Sequence, residues 1–393
     1  MNGRRVAITG LGVVSAAGIG VDAFWDGICS PGVDGVERRI EGFDASAYYP
    51  NTKEARRADR STQFAIAASQ EAIEQAGGIF SDPARSGVIY ATGVGGMATF
   101  EEQVLLCSEK GERRVSPFLV PMMMPNASGA AISMRWGLQG PNETITTACA
   151  AGTHSIGYAA RLIAMGRCDT IVTGGCEAAM TVTGIAGFRN MTALSNSGVS
   201  RPFDKDRDGF VMTEAAGVLV LEEWDAAEAR GANILAEVVG AGSNADAHHI
   251  TAPTPGGAGA VACMQLALDD AGLEPEDIVH INAHGTSTPL NDMAEAESVA
   301  KLFGTPGPAV TSIKGVTGHS LGAAGAIEAV ALTLSMERRL IPPTSGFETL
   351  DPEMPAIDVV HGQAREWTPG PCMSNSLGFG GHNGSLLLAP PNS

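Results

Sequence analysis

Thr147-Ala148-Cys149-Ala150-Ala151-Gly152 leads into an Ala-rich stretch, and Thr317-Gly318-His319-Ser320-Leu321-Gly322 does the same further along the chain. Two more pairs rhyme on the amino-terminal side of these. Tyr90-Ala91-Thr92-Gly93 matches Asn282-Ala283-His284-Gly285, and Val6-Ala7-Ile8-Thr9-Gly10-Leu11-Gly12 matches Ala236-Glu237-Val238-Val239-Gly240-Ala241-Gly242. The three pairs keep one order, and their offsets shrink from 230 to 192 to 170 residues. That is the trace of two related halves, the first with longer insertions. The expected division is residues 1–240, carrying the cysteine, and 241–393, carrying both histidines. Cys149 and His319 are then expected at equivalent positions, each at a helix start, with His284 at a strand end beside them.

Apolar runs alternate with helical patterns, which argues for α/β layering. Strands are expected over 5–10, 87–91, 170–174, 218–222, 235–240, 279–282 and 385–388. Helices are expected over 62–76, 122–136, 152–165, 259–271, 292–303 and 323–336. Hydrophobic residues make up 44% of the 393, charged residues only 17%, and 50 are glycine. This balance suits closely packed layers and excludes disorder. The formal net charge of −18 makes nucleic acid and acidic membrane surfaces poor partners. Seven scattered cysteines without a C-x-x-C pair read as reduced thiols. Arg4-Arg5 leads into only a short apolar run, and no apolar run is long enough to span a membrane, so a cytoplasmic protein without a membrane span is expected.

Cys149 follows a β-prone run and precedes a helix, so backbone N–H groups and the helix dipole predict a lowered thiol pKa. The small neighbours Ala148, Ala150, Ala151 and Gly152 leave room for a substrate. His284 in Ala283-His284-Gly285-Thr286-Ser287-Thr288 and His319 in Lys314-Gly315-Val316-Thr317-Gly318-His319 are flanked by tight glycines. Neutral imidazoles there can donate to a developing enolate or oxyanion. None of the three has metal-ligand spacing, and no metal is expected. His248-His249 reads as surface, or at most pocket edge. Gly10-Leu11-Gly12 imitates a dinucleotide fingerprint but lacks its third glycine, and reads as strand packed closely on a neighbour. Leu377-Gly378-Phe379-Gly380-Gly381-His382-Asn383-Gly384 reads equally as a plain hairpin turn or as a mobile loop offering an N–H to an oxyanion, with Phe379 as a gate.

Taken together, five motifs resemble the β-ketoacyl-acyl carrier protein synthases, most closely the elongating type II class, over nearly the whole chain. They are Thr147–Ser155, the Arg201-Pro202-Phe203-Asp204 segment to Phe210, Asn282–Pro289, Lys314–Gly325 and Gly378–Asn383. The resemblance implies an α/β thiolase fold, a five-layer αβαβα built from two duplicated halves and usually a homodimer. It implies a Claisen condensation on Cys149, with His284 and His319 binding malonyl thioester, Lys314 supporting the site, and Glu295 and Glu328 as buried acidic partners. It places the N–H groups of Cys149 and Phe379 in an oxyanion hole. Val94, Phe188, Thr286, Thr288, Gly380 and Gly381 become substrate-binding positions. Lys53, Arg56 and Arg57, with Arg113 and Arg114, become docking positions for an acidic acyl carrier protein, loaded with acyl or malonyl groups. No cofactor is implied. Ala215, Leu377 and His382 depart from the family pattern without removing a catalytic group. A thiolase would need a second cysteine before glycine near the carboxyl end, and Cys372 precedes Met373. A chain-length factor, the non-catalytic partner subunit, would lack Cys149. The resemblance leaves fatty-acid elongation, the preferred reading, beside a ketosynthase of a polyketide or other secondary pathway.

Overall fold

The structure, a computed structural model, describes residues 1, 3–32, 34–78 and 81–391. The first half contributes β1 (Val6–Ser15), β2 (Ser86–Ala91), β3 (Asn142–Ile145), β4 (Thr170–Glu177) and β5 (Ala215–Glu223). Their spatial order is β3-β2-β4-β5-β1. The second half contributes β6 (Ala236–Ala245), β7 (His280–Asn282), β8 (Ala309–Thr311), β9 (Cys372–Gly378) and β10 (His382–Ala389), in the order β8-β7-β9-β10-β6. Directions repeat as well. In each half the second strand runs parallel to its neighbours on both sides, and the last two pairings are antiparallel. The duplication read from three short rhymes is therefore a duplication of the whole sheet topology. β1 and β6 meet through Ala7↔Glu237 and Ile8↔Ala236, which joins the halves edge to edge. β6 runs across the 240/241 position at which the sequence was divided.

The helices that layer on the sheets include α1 (Arg60–Gln75), α2 (Ala127–Trp136), α3 (Ala151–Ala164), α4 (Ala258–Ala271), α5 (Pro289–Phe303) and α6 (Ala324–Arg338). α3 and α6 pack on each other and on strands of both halves. α1 and α2 cover the outer face of the first sheet, and α4 with α5 covers the second. The result is the five-layer αβαβα arrangement. α6 is buried at every residue from Ala324 to Met336, and a helix without a polar face has to be enclosed on all sides. Gly10 and Gly12 lie inside β1, which continues to Ser15. A Cβ on them would come within 2.0 Å and 1.9 Å of the carbonyl oxygens of Ala72 and Ala68 in α1. They are close-packing positions and not a nucleotide-binding turn.

The register of the duplication differs from the expected one. Ala148 and Leu321 both hold a positive φ, 51° and 47°, and each opens a single 3-10 turn that runs straight into α3 or α6. The offset there is 173 residues, from Ala148 to Leu321, so Gly322 and not His319 is the counterpart of Cys149. A side chain at Gly322 would strike the Gly93 nitrogen at 2.1 Å, which explains why this half carries no second nucleophile. The expected helix over 122–136 is broken into Leu119–Met123 and α2, with Pro125 between them, because proline removes a helical N–H and disfavours helix in the residue before it.

Candidate functional site

Cys149 sits in the 3-10 turn at the start of α3, and His319 in the turn before α6. His284 lies two residues beyond β7, and Phe379 in the turn between β9 and β10. All but Phe379 are buried. The thiol sulfur lies 3.0 Å from His319 Nε2. The two imidazole rings stand edge to face with centroids 5.3 Å apart. Lys314 Nζ, itself 1% exposed, lies 3.4 Å from His284 Nδ1 and pairs with Glu328 Oε1.

An ammonium group can only donate, so His284 Nδ1 accepts and its Nε2 carries the proton. Burial, aided by the charge of Lys314 and by His319, holds His284 well below the ordinary imidazole range; burial and Lys314 do the same to His319. Both rings are therefore neutral. His319 Nδ1 has no partner, so nothing on that side fixes the tautomer. Its Nε2 is free to take the thiol proton or to donate one.

The lowered thiol pKa expected from sequence is corrected. Burial pushes Cys149 up to about 12, against a downward pull from Lys314 and from the Phe379 N–H. The helix start does not outweigh the loss of water around a residue only 6% exposed. In the resting site the sulfur is a thiol, hydrogen-bonded to a neutral base.

The Gly-rich segment is a hairpin turn. Residues 379–381 turn the hairpin between β9 and β10, with Gly380 and Gly381 at φ 84° and 74°, and the Phe379 N–H faces the Cys149 sulfur. A Cβ on Gly378 would lie 2.9 Å from the Thr147 carbonyl oxygen, so the hairpin rests directly on the nucleophile turn. The Phe379, Phe188, Phe210 and His319 rings follow one another at centroid distances of 6.4, 5.4 and 5.2 Å. These groups line a cavity of about 350 Å³ that also exposes Thr286, Thr288, Asn291 and Gly381. The Thr286 and Thr288 hydroxyls lie 2.9 Å apart.

Glu295 accepts the N–H groups of His284 and Gly285 at 2.7 and 2.8 Å, and so fixes the backbone that carries the histidine. Gly380 sits in the hairpin turn without lining the cavity. Val94 also lies outside it and is 46% exposed, among other exposed apolar residues. His248 and His249 are exposed, beside the lining residues Thr251, Ala252 and Pro253. Lys53, Arg56, Arg57, Arg113 and Arg114 are all exposed, and among the described residues none of the five joins an ion pair. Arg57 stacks on Phe118 at 4.5 Å, close in sequence to Arg113 and Arg114. Cys372 is buried at the far end of β9, about 20 Å of strand from the hairpin turn, so it is no second nucleophile.

Sequence reasoning missed Glu177. It ends β4 and accepts from Gly93 N, Thr92 Oγ1 and Gly322 N at 2.6, 3.0 and 3.1 Å, tying the halves together beneath Cys149. No local signal marks it, since its partners, two backbone N–H groups and one hydroxyl, are distant in the chain. Cys149, His284 and His319 place their ligand atoms within 4.8 Å of one another, close enough for a metal ion. The Lys314 ammonium beside His284 opposes a second cation there.

Two duplicated halves enclosing one cysteine–histidine cleft define the class, a thiolase-like fold. Residues 29–227 match the β-ketoacyl synthase N-terminal domain, and residues 235–348 the C-terminal domain. The chain is 44% identical, over 98% of both chains, to a 3-oxoacyl-[acyl-carrier-protein] synthase 2 of Staphylococcus aureus (strain N315). It superposes on a crystal structure of a β-ketoacyl synthase from Burkholderia phymatum STM815 with a TM-score of 0.90, at 34% identity over 98% of this chain and 99% of that one. A type II polyketide ketosynthase in complex with its acyl-carrier protein matches at 30% identity and a TM-score of 0.89, covering 99% of this chain and 100% of that one. The chain belongs to the β-ketoacyl synthase family.

Proposed function

We propose that the chain condenses an acyl group held on Cys149 with malonyl-acyl carrier protein, lengthening the acyl chain by two carbons. The carrying observation is the 3.0 Å contact between a buried thiol and a neutral imidazole, with a second neutral imidazole beside it in one cavity. In the first stage Cys149 Sγ attacks the acyl-carrier thioester while His319 Nε2 takes its proton. The oxyanion forms between the N–H groups of Cys149 and Phe379, and the carrier thiol leaves with the proton. In the second stage acyl-Cys149 no longer has a thiol proton to give, His319 moves its single ring proton to Nε2, which no partner at Nδ1 opposes, and malonyl thioester places its carbonyl oxygen against the Nε2–H groups of His284 and His319. The carbon–carboxylate bond breaks, carbon dioxide leaves, and the enolate carbon attacks the acyl-Cys149 carbonyl. A carbon–carbon bond forms, the carbon–sulfur bond breaks, and the sulfur takes the proton from His319 Nε2, which solvent replaces at Nδ1. Lys314 holds the His284 tautomer, and Glu328 balances its charge. Thr286, Thr288, Phe188 and Gly381 are positioned to contact the carrier's linker and the substrate.

The unpaired basic residues at 53–57 and 113–114 on a chain of net charge −18 support docking of an acidic carrier protein. The exposed apolar residues Val94, Phe100, Val104, Leu105, Phe118, Val120 and Met134 support a homodimer that covers them. Among the described residues no helix is long and apolar enough to cross a membrane, which agrees with action in the cytoplasm. The 44% relative favours fatty-acid elongation over the polyketide alternative represented by the 30% ketosynthase. Incubation with a saturated acyl-carrier and malonyl-carrier should release carbon dioxide and yield the 3-oxoacyl-carrier. Turnover of poly-β-keto chains alone would move the assignment to the polyketide reading.

A further inference from the structure

The two N–H groups assigned to the oxyanion belong to chain segments more than 200 residues apart: the turn at Cys149 and the hairpin at Phe379. Their spacing governs how well they hold a developing charge. Besides the packing of Gly378 on Thr147 and the Thr153–Ser376 contact, one side chain reaches both segments. His154, one turn into α3, lies with Nδ1 2.7 Å from Thr147 Oγ1 and with Nε2 3.0 Å from the Asn383 carbonyl oxygen. Ser243 Oγ shares the Nε2 side at 3.1 Å.

The directions of these bonds follow from the partners. A carbonyl only accepts, so Nε2 carries the proton. Burial holds His154 below the ordinary imidazole range, so Nδ1 is unprotonated and accepts from the Thr147 hydroxyl. The carbonyl it reaches is itself fixed. The Asn383 amide donates to Asn244 Oδ1 at 2.9 Å and to Asp246 Oδ1 at 2.7 Å. The ring also packs on β10, where a Cβ at Gly384 would lie 3.0 Å from His154 Cδ2.

We infer that His154 is a positioning residue, which ties the nucleophile turn through Thr147 to the hairpin base through Asn383 and so sets the distance between the two oxyanion donors. The inference rests on the reading that acyl transfer uses the N–H groups of Cys149 and Phe379. It predicts a division of labour. Acyl transfer onto Cys149 depends on the bridge, whereas malonyl binding at His284 and His319 does not.

The test uses the full-length chain with Thr147→Val, His154→Phe and the double substitution. Single-turnover acylation of Cys149 by acyl-carrier is followed, together with the KM for malonyl-carrier in condensation. Each single substitution should slow acylation about 10- to 100-fold, short of the 10²–10³ lost when an oxyanion donor is removed outright. The double variant should be no slower than the slower single one, because one bridge is broken either way. The KM for malonyl-carrier should stay at its wild-type value. Acylation within about twofold of wild type, multiplying effects in the double variant, or a KM that rises in step would overturn the inference. If His154→Phe fails to fold, the isosteric Thr147→Val decides it alone by the rate and KM criteria. Absence of acylation on the wild-type enzyme would instead overturn the reading beneath.

Discussion

The thiol of a cysteine 6% exposed, 3.0 Å from a neutral imidazole, ionises only when something takes its proton. The pKa of Cys149, near 12, leaves little thiolate at neutral pH. Alkylation of the resting enzyme by iodoacetamide should therefore rise about tenfold per pH unit between pH 7 and 9. A plateau below pH 8, measured by mass spectrometry, would show a preformed thiolate. Lys314 and Glu328 form a pair 1% exposed on each side. Lys314→Ala strands the carboxylate and should cost about 3–5 kcal/mol in denaturant unfolding, together with condensation activity. Unchanged stability would contradict the pairing. The candidate site residues were legible because Cys149 and His284 follow strand ends and His319 precedes a helix, each flanked by small residues. The protonation state was not, since it depends on how much protein closes over the sulfur.

At the scale of elements, β9 escaped sequence reading. It is Cys-Met-Ser-Asn-Ser-Leu-Gly, with Ser374, Asn375 and Ser376 buried, and neither hydropathy nor alternation marks such a strand. Its polar groups are satisfied across the layers, as when Thr153 Oγ1 meets Ser376 Oγ at 2.7 Å. The helix Met97–Lys110 was missed for the opposite reason: Phe100, Val104 and Leu105 face outward and blur the period. β7 holds an anomaly, His280, 1% exposed with neither ring nitrogen hydrogen-bonded. Leaving such a group unsatisfied costs free energy, so His280→Phe, which keeps the edge contact with Trp367, should raise unfolding stability by about 1 kcal/mol in urea. A loss of stability would mean that the ring has a partner after all. Glu177 and Glu295, at the ends of β4 and inside α5, are pushed up to about 7 by burial. A carboxyl raised in the folded state stabilises fully below its unfolded pKa of about 4.3, and loses that contribution as pH rises to 7. Stability should fall across that window, and Glu177→Gln should flatten the fall.

For the whole molecule, the duplication was the most legible feature, because the repeated glycine-bearing strand ends keep their order while the spacing between them changes. The register of the repeat was not, since the three-residue difference between rhyme and backbone appears only in the left-handed residues Ala148 and Leu321. The proposed homodimer rests on surface and edge together. Among the described residues β3 ends the sheet of the first half with no strand paired on its outer side, and residues between 94 and 134 include several exposed apolar side chains. Sedimentation should give twice the chain mass, and Leu105→Glu should shift it toward monomer; a monomeric wild type would contradict the homodimer. One measurement bears most directly on the central claim that Cys149 carries the chain being lengthened. Peptide mass spectrometry after incubation with acyl-carrier protein should find the acyl mass on the peptide holding Cys149, and none on Cys149→Ala. Acylation at another residue, or none on the wild-type enzyme, would contradict the account.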